Sequence, residues 1–156
     1  MGKIDLDRVP ARTASSYPQP WAAAVAGRTS WKLGDAAGLS QFGATLTEML
    51  PGSRSSLRHW HAEQDEFIVM LDGELVLEMD SGETVMRAGD CAAFPAGVAD
   101  GHCMVNRSDR PGRFICIGTR TDTDTGHYPG IDLKAEVRGK DTVFTRCDGT
   151  PYPKNT

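Results

Sequence analysis

Apolar and polar residues along this chain fall into short runs separated by turn residues, and no stretch keeps a helical period for three turns. Thr45-Leu46-Thr47-Glu48-Met49-Leu50 alternates and stops at Pro51-Gly52, as a half-buried strand does. Glu66 to Leu71 and Glu74 to Met79 are two apolar-rich runs flanking Asp72-Gly73, a strong short-range hairpin signal. Asp80-Ser81-Gly82 closes the second run. Further strands are predicted at residues 84–88, 91–94, 102–106 and 113–119, and a last pair at 133–137 and 142–146 is joined across Gly139. Many short strands at regular spacing imply an all-β sandwich or small barrel. The polar stretch Thr119 to Gly126 reads as a solvated loop, or as a rim loop over a pocket. His127-Tyr128-Pro129 reads as a surface loop.

Residues 1–40 differ from the remainder. Pro10, Pro18 and Pro20 break the segment, yet Tyr17, Trp21 and Trp31 give it the aromatic bulk of something that packs. Trp21 to Ala26 has room for one helical turn. The division predicted is an N-terminal extension, residues 1–40, lying on the barrel or on a partner subunit, followed by a barrel domain, residues 41–156. The three aromatic side chains are large enough to supply most of a subunit interface, so a homodimer is expected.

Composition narrows the function. A chain of 156 residues is the size of one domain, and the longest apolar runs fall far short of a membrane-spanning helix. Seventeen basic against 21 acidic residues give a net charge of −4, with no basic cluster suited to a phosphate backbone. Nucleic acid and membrane are therefore not expected partners. No apolar leader follows Met1, and Cys91, Cys103, Cys116 and Cys147 form no close pair, which predicts reduced thiols and a cytoplasmic protein.

The candidate chemistry lies in the histidines. His59 and His61, two apart on a strand, present both imidazoles on one face. Glu66 follows four residues later, beyond a bend, and His102 lies in a separate strand-like run. Three imidazoles and one carboxylate, if they converge, make a strong site for a first-row transition metal. Ile68 and Met70 share the parity of Glu66, and Met104 that of His102. Together with Phe94 they are expected either to wall a substrate pocket or simply to fill the core. Arg58, Trp60 and Cys103 alternate with the histidines and are expected to face away.

These residues resemble the two motifs of the cupin superfamily. The first reads Gly52, His59, His61, Glu66 and Gly73, and the second Gly89, Pro95, Gly97, His102 and Asn106. Two spacings depart from the family pattern. Six residues rather than five separate Gly52 from His59, and four rather than two separate Gly97 from His102. The resemblance implies a single-domain, double-sheet β-barrel of the jelly-roll type, with the N-terminal segment as an extension. It also implies one divalent transition-metal ion (Zn, Fe, Mn or Ni) held by His59, His61, Glu66 and His102. Four protein ligands leave up to two positions for an oxygen-donor substrate on an octahedral ion. Similarity to small single-domain cupins of the sugar-phosphate-isomerase type implies an isomerase-like enzyme on a small polar carbonyl compound, such as a sugar or its phosphate. A non-haem iron dioxygenase and a non-catalytic, metal-dependent barrel for sugars or small acids remain open alternatives. Glu66 itself, Glu48, Glu78 and Asp100 are possible proton carriers, and no interior Arg or Lys cluster for a phosphate is evident from the sequence.

Overall fold

The computed structural model of the chain describes residues 2–153. A 3-10 turn, Leu6–Arg8, precedes β1 (Ala11–Arg12), and a second, Trp21–Val25, precedes β2 (Arg28–Lys32) and the one-turn helix α1 (Leu33–Ala36). The barrel strands follow as β3 (Phe42–Met49), β4 (Trp60–His61), β5 (Glu66–Asp72), β6 (Glu74–Met79), β7 (Gly82–Arg87), β8 (Cys91–Phe94), β9 (His102–Val105) and β10 (Gly112–Thr119). Three more complete the chain: β11 (Thr123–His127), β12 (Lys134–Arg138) and β13 (Asp141–Thr145). All paired strands are antiparallel, as the short alternating runs require.

The six-stranded sheet has the order β1-β2-β3-β10-β5-β8. Opposite it lie a four-stranded sheet, β13-β12-β11-β4, and a three-stranded sheet, β7-β6-β9. Irregular segment 52–59 joins these two. His59 and His102 exchange backbone hydrogen bonds of 3.1 and 2.8 Å, Ser55 N donates to Met104 O at 2.8 Å, and Asn106 N donates to Ser53 O at 2.9 Å. Between Ser55 and His59 the segment advances four residues while β9 retreats two, so residues 56–58 bulge outward. The extra residue of the Gly52–His59 spacing falls in that stretch.

Met49, Ile68, Met70, Leu75, Leu77, Met86, Phe94, Met104 and Phe114 fill the space between the sheets. A second cluster, Tyr17, Val25, Tyr128, Leu133 and Ala135, closes the end where the N-terminal segment crosses. Tyr17 meets Tyr128 at 5.7 Å and Phe144 at 5.5 Å, and Trp21 meets Tyr152 edge-on at 5.1 Å. Tyr17 and Trp21 thus pack within their own chain, and β2 continues the six-stranded sheet along β3.

Two expectations are corrected. The strands flanking Asp72-Gly73 do not form a hairpin. β5 pairs with β10 and β8, β6 with β7 and β9, so Gly73 turns the chain from one sheet to the other. The reason is steric: Gly73 has φ +75°, and a Cβ there would lie 2.6 Å from Pro111 O and 2.8 Å from Gly112 Cα. Only a bare Cα lets the two sheets approach at this corner. The second correction is that the second half of the supposed loop 119–126 belongs to β11, which pairs with both β4 and β12. Thr123-Asp124-Thr125-Gly126 alternates exposed and buried positions, but Asp124 and Gly126 take the buried ones, so no apolar signal betrays the strand.

Gly73→Ala is expected to cost about 2–3 kcal/mol in urea denaturation, from combined φ strain and contact with Pro111. Gly52, at φ +80° with nothing within 4 Å of its absent Cβ, provides the contrast, and Gly52→Ala should cost about 1 kcal/mol.

Candidate metal centre

The row of residues crossing the six-stranded sheet through Glu66 runs Phe94, Glu66, Gly118, Gly43. Two adjacent glycines remove the side chains that would otherwise fill the inner face beside Glu66, and a cavity of about 280 Å³ opens there. Its inner part is lined by His59, His61, Glu66 and Cys116, and its outer part by Lys32, Asp35, Gln64, Thr119 and Arg120, with Thr45 on the wall. The volume is at the small end of ligand pockets, about 300 Å³ upward.

Glu66 comes from one sheet and the imidazoles from the other. The donor atoms of His59, His61 and Glu66 all lie within 4.8 Å of one another. Glu66 Oε2 is 3.8 Å from His61 Nε2 and 3.0 Å from His102 Nε2. Ligands about 2.1 Å from a common ion stand about 3 Å apart when adjacent and about 4 Å when opposite, so His59, His61 and Glu66 suit one ion with little movement, whereas His102 falls outside that group and is hydrogen-bonded to Glu66.

Two of the imidazoles, His59 and His61, are also set in the required tautomer. His61 Nδ1–H donates to Asp124 Oδ2 at 2.5 Å, and His59 Nδ1–H donates to Leu57 O at 2.9 Å. Each bond leaves Nε2 as a lone pair aimed into the cavity, the arrangement that metal-binding histidines need. Asp124 is fully buried as a side chain and also accepts from Glu63 N at 2.9 Å, so its position is fixed twice. His102 lies face to face on Phe94 at 3.6 Å, and its buried Nδ1 has no hydrogen-bond partner among the described residues.

Protonation states follow from these neighbours. Burial is the largest effect on His59 and lowers its pKa to about 4, with the charges of His61 and His102 acting in the same direction. The ring is neutral at pH 7. For Glu66, burial opposes the charge, but the hydrogen bond to His102, the charges of His59 and His102 and a hydrogen bond from Cys116 together outweigh it and hold the pKa at about 2. Cys116 Sγ–H donates to Glu66 Oε1 at 2.6 Å, and burial, followed by the charge of Glu66, keeps its thiol protonated. One oxygen of Glu66 is thereby occupied and the other faces the imidazoles.

Sequence reasoning missed Asp124, Cys116, Lys32 and Arg120. Asp124 could have been found only by recognising β11 as a strand. The structure places Ile68, Met70 and Met104 in the core and not on the wall of the cavity that holds His59, His61 and Glu66. Phe94 backs His102 rather than lining that cavity. Arg58 pairs with Asp80, and Trp60 stacks on His127 at 4.1 Å, so both are engaged away from the imidazole cluster. His127 is therefore a strand residue packed on an indole. Cys103 lies against Arg54 at 3.3 Å.

Comparison with known proteins places this geometry. A family model described as a cupin domain matches residues 45–118. The chain is similar to the crystal structure of a sugar phosphate isomerase from a cupin superfamily of Silicibacter pomeroyi, with 50% identity, 97% of each chain covered and a TM-score of 0.93. A candidate sugar phosphate isomerase of Acidithiobacillus ferrooxidans is 26% identical over 82% of this chain and 81% of that one, with a TM-score of 0.72. The polyketide cyclase RemF of Streptomyces resistomycificus, 23% identical over 76% and 79% of the two chains, shares the fold at a TM-score of 0.63. A search of curated proteins finds no match.

Removing the carboxylate that orients His61 should weaken metal binding without unfolding the barrel. Asp124→Asn is expected to lower zinc affinity about 10–100-fold in competition against a chelating dye, with an unchanged circular dichroism spectrum. In the metal-free protein, the unfolded chain binds more protons than the folded one between pH 6.5 and 4 because of His59, and between 4.5 and 2 because of Glu66. Thermal stability should therefore fall as pH drops through both windows, and His59→Asn should flatten the upper one.

Proposed function

The chain belongs to the cupin superfamily, and on that footing we propose that it is a metal-dependent isomerase of small hydroxy-carbonyl compounds of the sugar or sugar-phosphate class. In this reading His59, His61, Glu66 and His102 hold one divalent transition-metal ion. The observation that carries it is the union, in one small cavity, of Nε2 lone pairs fixed by Asp124 and Leu57 with the charged Glu66. Support for the substrate class comes from the Silicibacter pomeroyi protein, half identical over nearly its whole length.

A divalent ion at this position supplies Lewis-acid polarisation of a carbonyl and its neighbouring hydroxyl. The protein residues do the remainder. Neutral imidazoles and one carboxylate leave a divalent site with about one net positive charge, which favours an oxygen donor bearing partial or full negative charge. Gln64, Thr45 and Thr119 place amide and hydroxyl groups along the walls, where they can orient the hydroxyls of a polyol. Cys116 holds one oxygen of Glu66 and so limits that side chain to a single contact with an ion. With its pKa at about 2, Glu66 is a weak base, better suited to a ligand's part than to carrying a proton. The other expected bases are engaged by other groups, although Asp100 lines a small second pocket with His61 and His102. Glu78 pairs with Arg54 and Arg107, Asp100 accepts from the backbone of Asp80 and Ser81, and Glu48 stands off the cavity opposite Arg113.

Aldoses, ketoses and their phosphates should be interconverted by the zinc- or manganese-loaded protein, as followed by NMR. Chelation should abolish turnover, and His61→Ala should reduce it by at least about a hundred-fold. Absence of turnover across the panel at saturating metal overturns the isomerase reading. About one equivalent of bound iron with substrate-dependent oxygen uptake replaces it with an oxygenase.

A further inference from the structure

We propose that Lys32 and Arg120 form an anion subsite at the outer part of the cavity that takes a phosphate monoester, and that Asp35 is the charge this group displaces. The proposal deepens the isomerase reading by naming the part of the substrate remote from the metal ligands, but its residues lie outside the metal centre.

Lys32 ends β2 and Arg120 follows β10, and both line the cavity that holds His59, His61 and Glu66. Lys32 faces inward because it pairs with Thr45, whose side chain shares the inner face. Arg120 is braced rather than free: one guanidinium nitrogen donates to Leu39 O at 2.6 Å and another pairs with Asp35. Asp35 Oδ2 also lies 3.9 Å from Lys32 Nζ. Both cations therefore already converge on one oxyanion, and that oxyanion is a half-exposed side chain on a one-turn helix.

Charge decides which ligand gains from this arrangement. A neutral sugar leaves the Asp35 pairs untouched and gains nothing. A monoanionic carboxylate only exchanges one carboxylate for another. A phosphate monoester carries close to two negative charges above its second pKa of about 6, so it outbids Asp35 for the two cations. Thr45, Thr119 and Gln64 add uncharged donors on the same wall. Acids on the outer wall reinforce the selection. Asp65 is tied to Ala96 N at 2.8 Å, which leaves Asp35 as the acid that has to yield. Spacing fits as well. Three strand spacings separate the strand of Glu66 from that of Lys32, about 14 Å between backbones, and the intervening side chains reduce this to the length of a short carbon chain.

The test is titration of the full-length protein with inorganic phosphate at pH 7.5, as purified and after chelation, with acetate as the monoanion control. Phosphate should bind in both preparations, and acetate should not. Lys32→Ala and Arg120→Ala should each weaken binding by about ten-fold or more, and Asp35→Asn should tighten it about five-fold. All three side chains are part-exposed, and unchanged circular dichroism confirms the fold of each variant. The opposite sign at Asp35 distinguishes a subsite from an ion-pair cluster that merely anchors α1, where all three substitutions would leave phosphate affinity alone. Equal phosphate affinity in all variants, or acetate binding as tightly as phosphate, overturns the proposal. Isomerisation of free sugars as efficient as that of their phosphates overturns it while leaving the isomerase reading in place. Phosphate binding that follows the predicted signs, with no turnover of any sugar phosphate, upholds the subsite and overturns the isomerase.

Discussion

A carboxylate buried between two sheets is the constraint around which this molecule is arranged. Glu66 stands on the inner face of the six-stranded sheet, where an isolated charge would be costly. It is kept ionised by what the opposite sheet brings to it: His102 at 3.0 Å, with His59 and His61 close by, and Cys116 from its own sheet at 2.6 Å. Shifting β5 by one residue would put Phe67 in its place and turn the carboxylate to solvent. The register of β5 against β10 and β8 is therefore also the register of the chemistry.

From that centre the cavity grades outward in chemical character. The inner part offers lone pairs and one anionic oxygen, while the outer part offers two cations paired with the half-exposed carboxylate of Asp35. Glycines at 43 and 118 make the space, and threonine and glutamine line it with groups that neither attract nor repel strongly. A ligand with an oxygen pair at one end and a strong anion at the other would satisfy both ends at once. The sheet beneath sets the distance between them, so any selectivity by length in such a ligand would come from strand spacing.

Most of the strand layout and the two histidine-bearing motifs were legible because they rest on period-two alternation and on residue types with few alternative uses. His59, His61 and Glu66, which the motif resemblance singled out, do come together, and His102 lies 3.0 Å from Glu66. What escaped reading shares one physical cause, in that the inward positions were polar or empty. Asp124 and Gly126 occupy the buried side of β11, where an apolar pattern would have announced a strand. Lys32 and Arg120 are remote in sequence and meet only because β2 and β10 flank β3. Asp72-Gly73 misled for the opposite reason. Its local chemistry favours a tight turn, and the long-range approach of Pro111 and Gly112 decided which strands that turn would connect.

The seam at His59 has a dynamic consequence. The three- and four-stranded sheets are joined through the irregular segment 52–59, and the backbone bonds that close this seam nearest the cavity belong to His59 and His102 themselves. Any breathing motion that parts the sheets therefore draws the two imidazoles apart. An ion held by both, as proposed above, would act as a rivet through the joint, and its departure would require a collective opening of backbone rather than the swing of one side chain. Residence time in such a site would then be governed by the hinge as much as by the ligands, and the opening of the seam would become the clock for exchange.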